Sequence, residues 1–323
     1  MTSKAFEMTR KRVPAKAAIA RMIVAGLVLM LSAGCATFAP PTQVERMPKS
    51  VPVAAEFVGK TRWALALSGG SARGFAHIGV LRVLEEAGLK PDLVVGTSAG
   101  AIIGSLYASG LSVQEVEAAV RAMGYSLFND VVLPSLVVLP GENGLIRGEK
   151  MMRFIDERLM TRHIEDFPIR FAAVATDMKS GDAIAFNSGH AALAVRASAS
   201  VPGVFTPVDI NGRLFGDGQI VSPMPVVTAR QLGASRVIAV DVVYPPEQAL
   251  LSNPIYVMFQ AIAISAYRLK ESERPYAAVV ISPQFKTTSG QFTFADIDWA
   301  IKAGEDAARK LLPEIRAAIA AAP

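Results

Sequence analysis

Val94-Val95-Gly96-Thr97-Ser98-Ala99-Gly100 decides how this chain folds. The apolar run that begins at Leu93 is set off from the segment before it by Gly88 and Pro91, both helix-stop residues. Downstream, residues 101–109 are small and apolar, and Gly110 ends them. A short buried strand therefore runs straight into a helix, with a serine at the junction and a glycine two residues to either side. The serine is forced onto a sharp turn, its hydroxyl projecting and its backbone at a helix N-terminus. Gly96 and Gly100 let the turn close without side-chain collisions, and the helix dipole favours negative charge there. An elbow of this kind presents a serine nucleophile. A buried structural serine in a plain βα turn fits the same seven residues, so the rest of the chain has to separate the two.

Working outward, strand-like apolar runs occupy residues 63–67, 93–96, 171–176, 183–186, 236–243 and 277–282. Segments of helical period lie between them. Residues 75–87 place Ile78, Leu81 and Leu84 on one face, and Ser112-Val113-Gln114-Glu115 is a capping box opening a helix through Met123. Residues 149–159 are amphipathic, Asn253-Pro254 opens a long apolar helix, and residues 296–321 close the chain. Strands alternating with helices predict an α/β fold, its mostly parallel sheet covered on both faces. Asn211-Gly212, between Val208 and Phe215, predicts a hairpin and so a late antiparallel ribbon.

The chain has 323 residues, 51% of them hydrophobic, enough for one large domain with a well-buried core. Its net charge of +5 sits wholly in the first 34 residues: Lys4, Arg10, Lys11, Arg12, Lys16 and Arg21 against Glu7. The remainder balances at zero, so no electrostatic case exists for a nucleic-acid partner. After this basic stretch come ten apolar residues, Met22 to Leu31, and then Ser32-Ala33-Gly34-Cys35. Ten are too few to span a bilayer and suit a signal-peptide core, which gives residues 1–34 as a leader. The alternatives are an uncleaved N-terminal anchor and a buried free thiol. Cys35 is the only cysteine, so no internal disulfide forms. From residue 35 to 60 the chain carries Pro40, Pro41, Pro48 and Pro52 and reads as a tether of roughly 30 Å average reach. Residues 61–318 make the folded domain.

A serine hydrolase needs a nucleophile, a base and donors for the oxyanion. Ser98 is the candidate nucleophile. The three histidines, His77, His163 and His190, all precede Asp217, and a Ser-Asp-His order would have to use Asp130 or Asp156, for which no local signature exists. Asp217, between Gly216 and Gly218, is a candidate base; an Asx-type turn in which it binds its own backbone suits the same residues equally well. Ser68-Gly69-Gly70-Ser71-Ala72-Arg73-Gly74 lies between the first strand and the helix after it, where exposed N–H groups favour an anion. It lacks the Lys-Ser/Thr of a phosphate-binding loop. His77 reads as a packing residue and Asp177 as turn chemistry. The apolar residues 131–139 suit an acyl groove or core equally. No His, Cys, Asp and Glu cluster has metal-ligand spacing, so neither metal nor cofactor is expected.

In this order, the glycine loop, Gly96-Thr97-Ser98-Ala99-Gly100 and Asp217-Gly218 resemble the patatin-like phospholipase family, as does Ala197-Ser198-Ala199-Ser200-Val201-Pro202-Gly203-Val204-Phe205. The resemblance covers roughly residues 62–315. It implies a three-layer patatin-like fold and a lipid acyl hydrolase acting through a Ser98-Asp217 dyad without histidine. It implies backbone oxyanion donors around Gly69, Gly70 and Ser71, with Arg73 fixing or polarising their loop. The substrate would be a phospholipid or other fatty-acyl ester. Acyl transfer by the same fold and a non-catalytic lipid-binding lipoprotein are the other readings. Two departures, Ser71 and Gln219 where family members often carry glycine or another small residue, bear on substrate preference. Separately, Leu31-Ser32-Ala33-Gly34-Cys35 resembles the lipobox of bacterial lipoproteins. That implies lipidation of Cys35, a membrane-surface partner and, with Ala36 following, an outer-membrane location facing the periplasm.

Overall fold

In the computed structural model, residues 49–50, 61–124, 144, 146–246, 254–285 and 294–322 are described. The leader, Cys35, Asp130 and the apolar residues 131–139 lie outside them. Among the described residues no helix is long and apolar enough to cross a membrane.

Strand β1 is only Lys49–Ser50. Then follow β2 (Thr61–Leu67), α1 (Ala76–Glu86), β3 (Leu93–Thr97), α2 (Ala99–Ala108), α3 (Val113–Ala122) and α4 (Glu149–Asp156). The second half holds β4 (Arg170–Asp177), β5 (Ala183–Ser188), α5 (Ala191–Ser198), β6 (Val208–Ile210), β7 (Arg213–Asp217), α6 (Val226–Gln231), β8 (Ala234–Val240), α7 (Pro254–Glu273), β9 (Val279–Ile281) and α8 (Ile297–Ala320). The sheet runs β1-β5-β4-β3-β2-β8-β9, with the β6-β7 ribbon attached through β7 to β4. Strands β4, β3, β2, β8 and β9 are mutually parallel; the pairings β1–β5, β5–β4, β4–β7 and β7–β6 are antiparallel. The stretch read as a patternless tether thus contributes β1, which pairs with the edge strand β5 through Lys49 and Ser50.

The central strands are buried throughout yet feed two different cores. Trp63, Leu65, Leu67, Val94, Phe171 and Ala173 face one core with α1, α2, α3 and α8. Ala64, Ala66, Leu93, Val95, Ala172 and Val174 face a smaller one closed by Met224, Val226 and Ala229 at α6. Alanine on the second face lets that short helix lie close against the sheet. On the larger face α1 and α8 touch backbone to backbone: a Cβ on Gly79 would overlap the Ile301 carbonyl, and one on Gly304 the Ala76 carbonyl. Arg82 of α1 bridges Glu305 of α8 and Glu117 of α3 beside that crossing. The Ser112 capping box forms as its spacing predicts, Ser112 N–H donating to Glu115 Oε2 at 2.8 Å and Glu115 N–H to Ser112 Oγ at 3.3 Å.

Strand β4 organises the site. One edge pairs with β5 (Ala175 with Ile184). The other edge is shared end to end by two strands: β3 pairs as far as Thr97 with Val174, and β7 continues from Asp217 with Ala175.

Candidate active site

Ser98 follows directly from the end of β3 and caps α2. Its backbone has φ 52° and ψ −119°, a conformation that costs energy for a residue with a Cβ and is held only where the surroundings over-determine it. The surroundings do so. A Cβ on Gly100 would overlap the Leu67 carbonyl, and one on Gly96 would lie 2.5 Å from the Gly100 carbonyl oxygen. The Thr97 hydroxyl donates to the Ser222 carbonyl at 2.8 Å, anchoring the residue before. The Ser98 N–H donates to Ser198 Oγ at 3.0 Å, and that hydroxyl donates onward to the Val174 carbonyl at 2.6 Å.

Asp217 ends β7, its N–H donating to the Ser200 carbonyl at 2.8 Å and its own carbonyl accepting the Thr176 hydroxyl at 2.7 Å. Its two carboxylate oxygens have different partners. Oδ1 accepts the Gln219 N–H at 2.8 Å, and Oδ2 accepts the Ser98 hydroxyl at 2.7 Å. The Asx turn and the serine partnership, alternatives in the sequence, thus coexist on one side chain. Asp217 is 2% exposed, and burial pushes its pKa up to about 6 despite the two hydrogen bonds that favour its charge. Ser98 is 7% exposed and stands on the solvent side of the pair.

The glycine loop packs against the same spot. The Gly69 N–H donates to the Pro223 carbonyl at 2.9 Å, so it is not free for a substrate oxygen, which narrows the expected donor set. No described residue accepts from the N–H of Gly70 or Ser71. A Cβ on Gly70 would come within 2.5 Å of the Val242 carbonyl oxygen, so only glycine fits. Ser71 stands at φ 49°, the left-handed region that glycine tolerates best, in keeping with the glycine often found there in resembling sequences. It opens a 3-10 turn, Ser71–Phe75.

Arg73 points away from the loop's open side. Its guanidinium lies 4.0 Å from the Phe285 ring centroid and 4.8 Å from that of Tyr244, and it donates to the Val243 carbonyl at 3.4 Å. Burial lowers its pKa to about 10, leaving it charged at neutral pH, so it ties the loop to the end of β8. His77 is fully buried, held neutral with a pKa lowered to about 4 by burial, and donates through Nε2 to the Ser68 carbonyl at 2.9 Å. Its role is to brace the glycine loop from beneath. His190 accepts the Leu193 N–H at 3.2 Å and faces Asp156 at 3.3 Å, while His163 faces Asp166 at 3.7 Å. No histidine pairs with Ser98. Asp177 accepts the N–H groups of Lys179 and Ser180 at 2.8 Å and 3.0 Å, the turn role its sequence suggested, and also binds Arg213. Among the described residues no three His, Cys, Asp or Glu side chains gather as metal ligands would.

Two participants escaped the sequence. Ser198 sits in the quoted Ala197–Phe205 block, but nothing in the block says that its hydroxyl holds the Ser98 amide. Glu273, at the end of α7, accepts the Ser222 hydroxyl at 2.8 Å and the Val227 N–H at 3.0 Å, bracing the segment that receives Thr97. Burial raises its pKa.

The chemistry available is that of a serine whose proton has a carboxylate to go to, beside two backbone donors that no described residue claims. The family described as "Patatin-like phospholipase" matches residues 65–230, about half of the chain. An uncharacterized NTE family protein of Mycobacterium tuberculosis is 35% identical over 180 residues, covering 56% of this chain and 49% of the relative. Human patatin-like phospholipase domain-containing protein 6 is 36% identical over 181 residues, covering 55% of this chain and 13% of that protein. This chain therefore spans about half the length of the mycobacterial relative. Among solved structures, VipD from Legionella pneumophila is similar with a TM-score of 0.42 at 16% identity, covering 88% of this chain and 72% of that one.

Proposed function

This chain belongs to the patatin-like phospholipase family, and from that premise we propose that it is a serine lipid acyl hydrolase working through a Ser98-Asp217 dyad. One observation carries the reading: the Ser98 hydroxyl donates to Asp217 Oδ2 at 2.7 Å from a backbone held at φ 52°. A carboxylate whose pKa stands near 6 suits a general base at neutral pH, since it is ionised yet basic enough to take a proton in the transition state.

Asp217 takes the hydroxyl proton as Ser98 Oγ attacks the ester carbonyl carbon. The carbonyl oxygen becomes an oxyanion and is met by the Gly70 and Ser71 N–H groups at the positive end of the 3-10 turn. The tetrahedral intermediate collapses, the alcohol leaves with the proton held by Asp217, and an acyl-Ser98 ester remains. Water then loses a proton to Asp217, attacks the acyl carbonyl, and releases the fatty acid with Ser98 reprotonated. His77 and Arg73 hold the donor loop and touch no reacting atom.

Labelling of the full-length chain with a fluorophosphonate, the adduct mapped by mass spectrometry, tests the proposal. Label on Ser98 that is absent from Ser98→Ala and strongly reduced in Asp217→Asn supports it. A folded wild-type chain that takes no label and turns over no ester refutes it.

We further infer that Cys35 carries the lipid anchor of an outer-membrane lipoprotein facing the periplasm. The support is the run from the basic stretch through Met22–Leu31 to Leu31-Ser32-Ala33-Gly34-Cys35. Incorporation of labelled palmitate in a bacterial host, lost in Cys35→Ala, is the corresponding test.

A further inference from the structure

Gln219 stands two residues past the proposed base, where resembling sequences commonly carry glycine or alanine. Its N–H is committed to Asp217 Oδ1 at 2.8 Å, which fixes its backbone against the dyad. Its side chain runs to the glycine loop. A Cβ on Gly69 would overlap the Gln219 carboxamide oxygen, and from that same point both the carboxamide carbon and the Ser98 Cβ lie 3.3 Å away. Nucleophile, glycine loop and carboxamide therefore converge on one spot. The side chain is half-buried, and its carboxamide hydrogen-bonds to no described residue.

A carboxamide offers two donor hydrogens and a carbonyl with two lone pairs, and half withdrawn from water it favours a ligand that can use them. A fatty-acyl tail has no hydrogen-bonding group beyond its ester carbonyl, whose oxygen is directed to Gly70 and Ser71 in the mechanism above. The group left to be read belongs to the alcohol. Resting on the hydrolase reading, we propose that Gln219 reads the alcohol half of the substrate. Its carboxamide hydrogen-bonds an oxygen on the carbon next to the one bearing the scissile ester, as glycerol provides. It thereby selects glycerol-type esters over esters of plain alkyl alcohols. Glycine or alanine at this position would leave that spot open and the discrimination weaker.

The full-length chain in detergent is assayed with two esters of one fatty acid, monooctanoylglycerol and propyl octanoate, which differ only in the glycerol hydroxyls. The readout is the ratio of their kcat/KM values. The wild type is expected to favour the glyceryl ester by about tenfold, the worth of one net hydrogen bond. Gln219→Met keeps length and loses the amide, and Gln219→Asn keeps the amide and loses reach; each is expected to bring the ratio near one. Fluorophosphonate labelling of Ser98 confirms that each variant is folded, and a ratio from either suffices. A wild-type ratio near one overturns the proposal, as does a ratio unchanged in a labelled variant. A wild-type chain that labels on Ser98 but does not discriminate refutes only the role of Gln219. One that neither labels nor turns over ester refutes the hydrolase reading and this inference with it.

Discussion

Thr97 and Asp217 occupy successive places along one edge of β4, Thr97 opposite Val174 and Asp217 opposite Ala175. The serine follows Thr97 directly. The distance between serine and carboxylate is thus set by backbone register, in which a slip of one residue would turn the side chain to the other face of the sheet. Rigid backbone placement of both partners is what a two-residue dyad requires, because the carboxylate must take the serine proton directly.

Replacing Asp217 with Asn keeps an acceptor for the Gln219 N–H and a group beside Ser98 while removing the base. The ester kcat/KM is expected to fall by roughly 10³, within the range that positioned proton transfer contributes. Unchanged circular dichroism would show the fold intact. Activity within tenfold of wild type would remove Asp217 from the mechanism.

The pKa of Asp217 predicts two pH effects of opposite benefit. Activity should fall as pH drops through about 6, where the carboxylate takes up a proton and can no longer accept one. Stability runs the other way. The folded pKa stands above the ordinary carboxylate value of about 3.9, so the contribution of Asp217 is fully present below about pH 4 and is lost as pH rises through about 6. Asp217→Asn escapes that loss and should be more stable than wild type at pH 8, by up to about 3 kcal/mol. The gain should vanish near pH 4. Paired thermal melts at the two pH values read it, and equal differences at both would contradict it.

Ser198→Ala should act on catalysis and stability together. It strands the Ser98 N–H and the Val174 carbonyl, both buried and both served by one hydroxyl. A cost of about 1–3 kcal/mol is expected for the orphaned groups. The loosened elbow should lower kcat about tenfold with little change in KM. A variant with wild-type kcat would leave Ser198 a purely structural hydroxyl.

Gly304→Ala lies far from the dyad in sequence and should separate stability from chemistry. Its new Cβ would overlap the Ala76 carbonyl where α1 and α8 cross. Overpacking of this kind costs about 1–3 kcal/mol or more. The melting temperature should drop by several degrees while label on Ser98 per folded molecule stays at the wild-type level.

Continuous apolar runs located the parallel strands, the period-3.6 pattern located the long helices, and Asn211-Gly212 located the ribbon. They worked because burial on both faces of a strand, burial on one face of a helix and a tight turn each leave a mark in the local sequence. The hydrogen bond between Ser98 and Asp217 was implied only by the family resemblance of elbow, glycine loop and Asp217-Gly218, since locally each of these segments reports no more than its own turn. What stayed hidden is relational. Nothing near Ser198 says that its hydroxyl will meet a backbone amide 100 residues away. Nothing near Gly69 says that its N–H will be spent on Pro223. Lys49 and Ser50 carry no strand signal of their own and pair only because β5 offers a free edge.

The proposed nucleophile and base lie 119 residues apart in the chain and meet only because β3 and β7 are both seated on β4. A nascent chain that has formed its elbow but not yet made its ribbon holds a serine with no partner for its proton. Such a chain is latent: it carries the chemistry without the means to use it. Under the mechanism proposed above, synthesis itself acts as a safety catch, because the serine meets its carboxylate only after the ribbon has docked on β4.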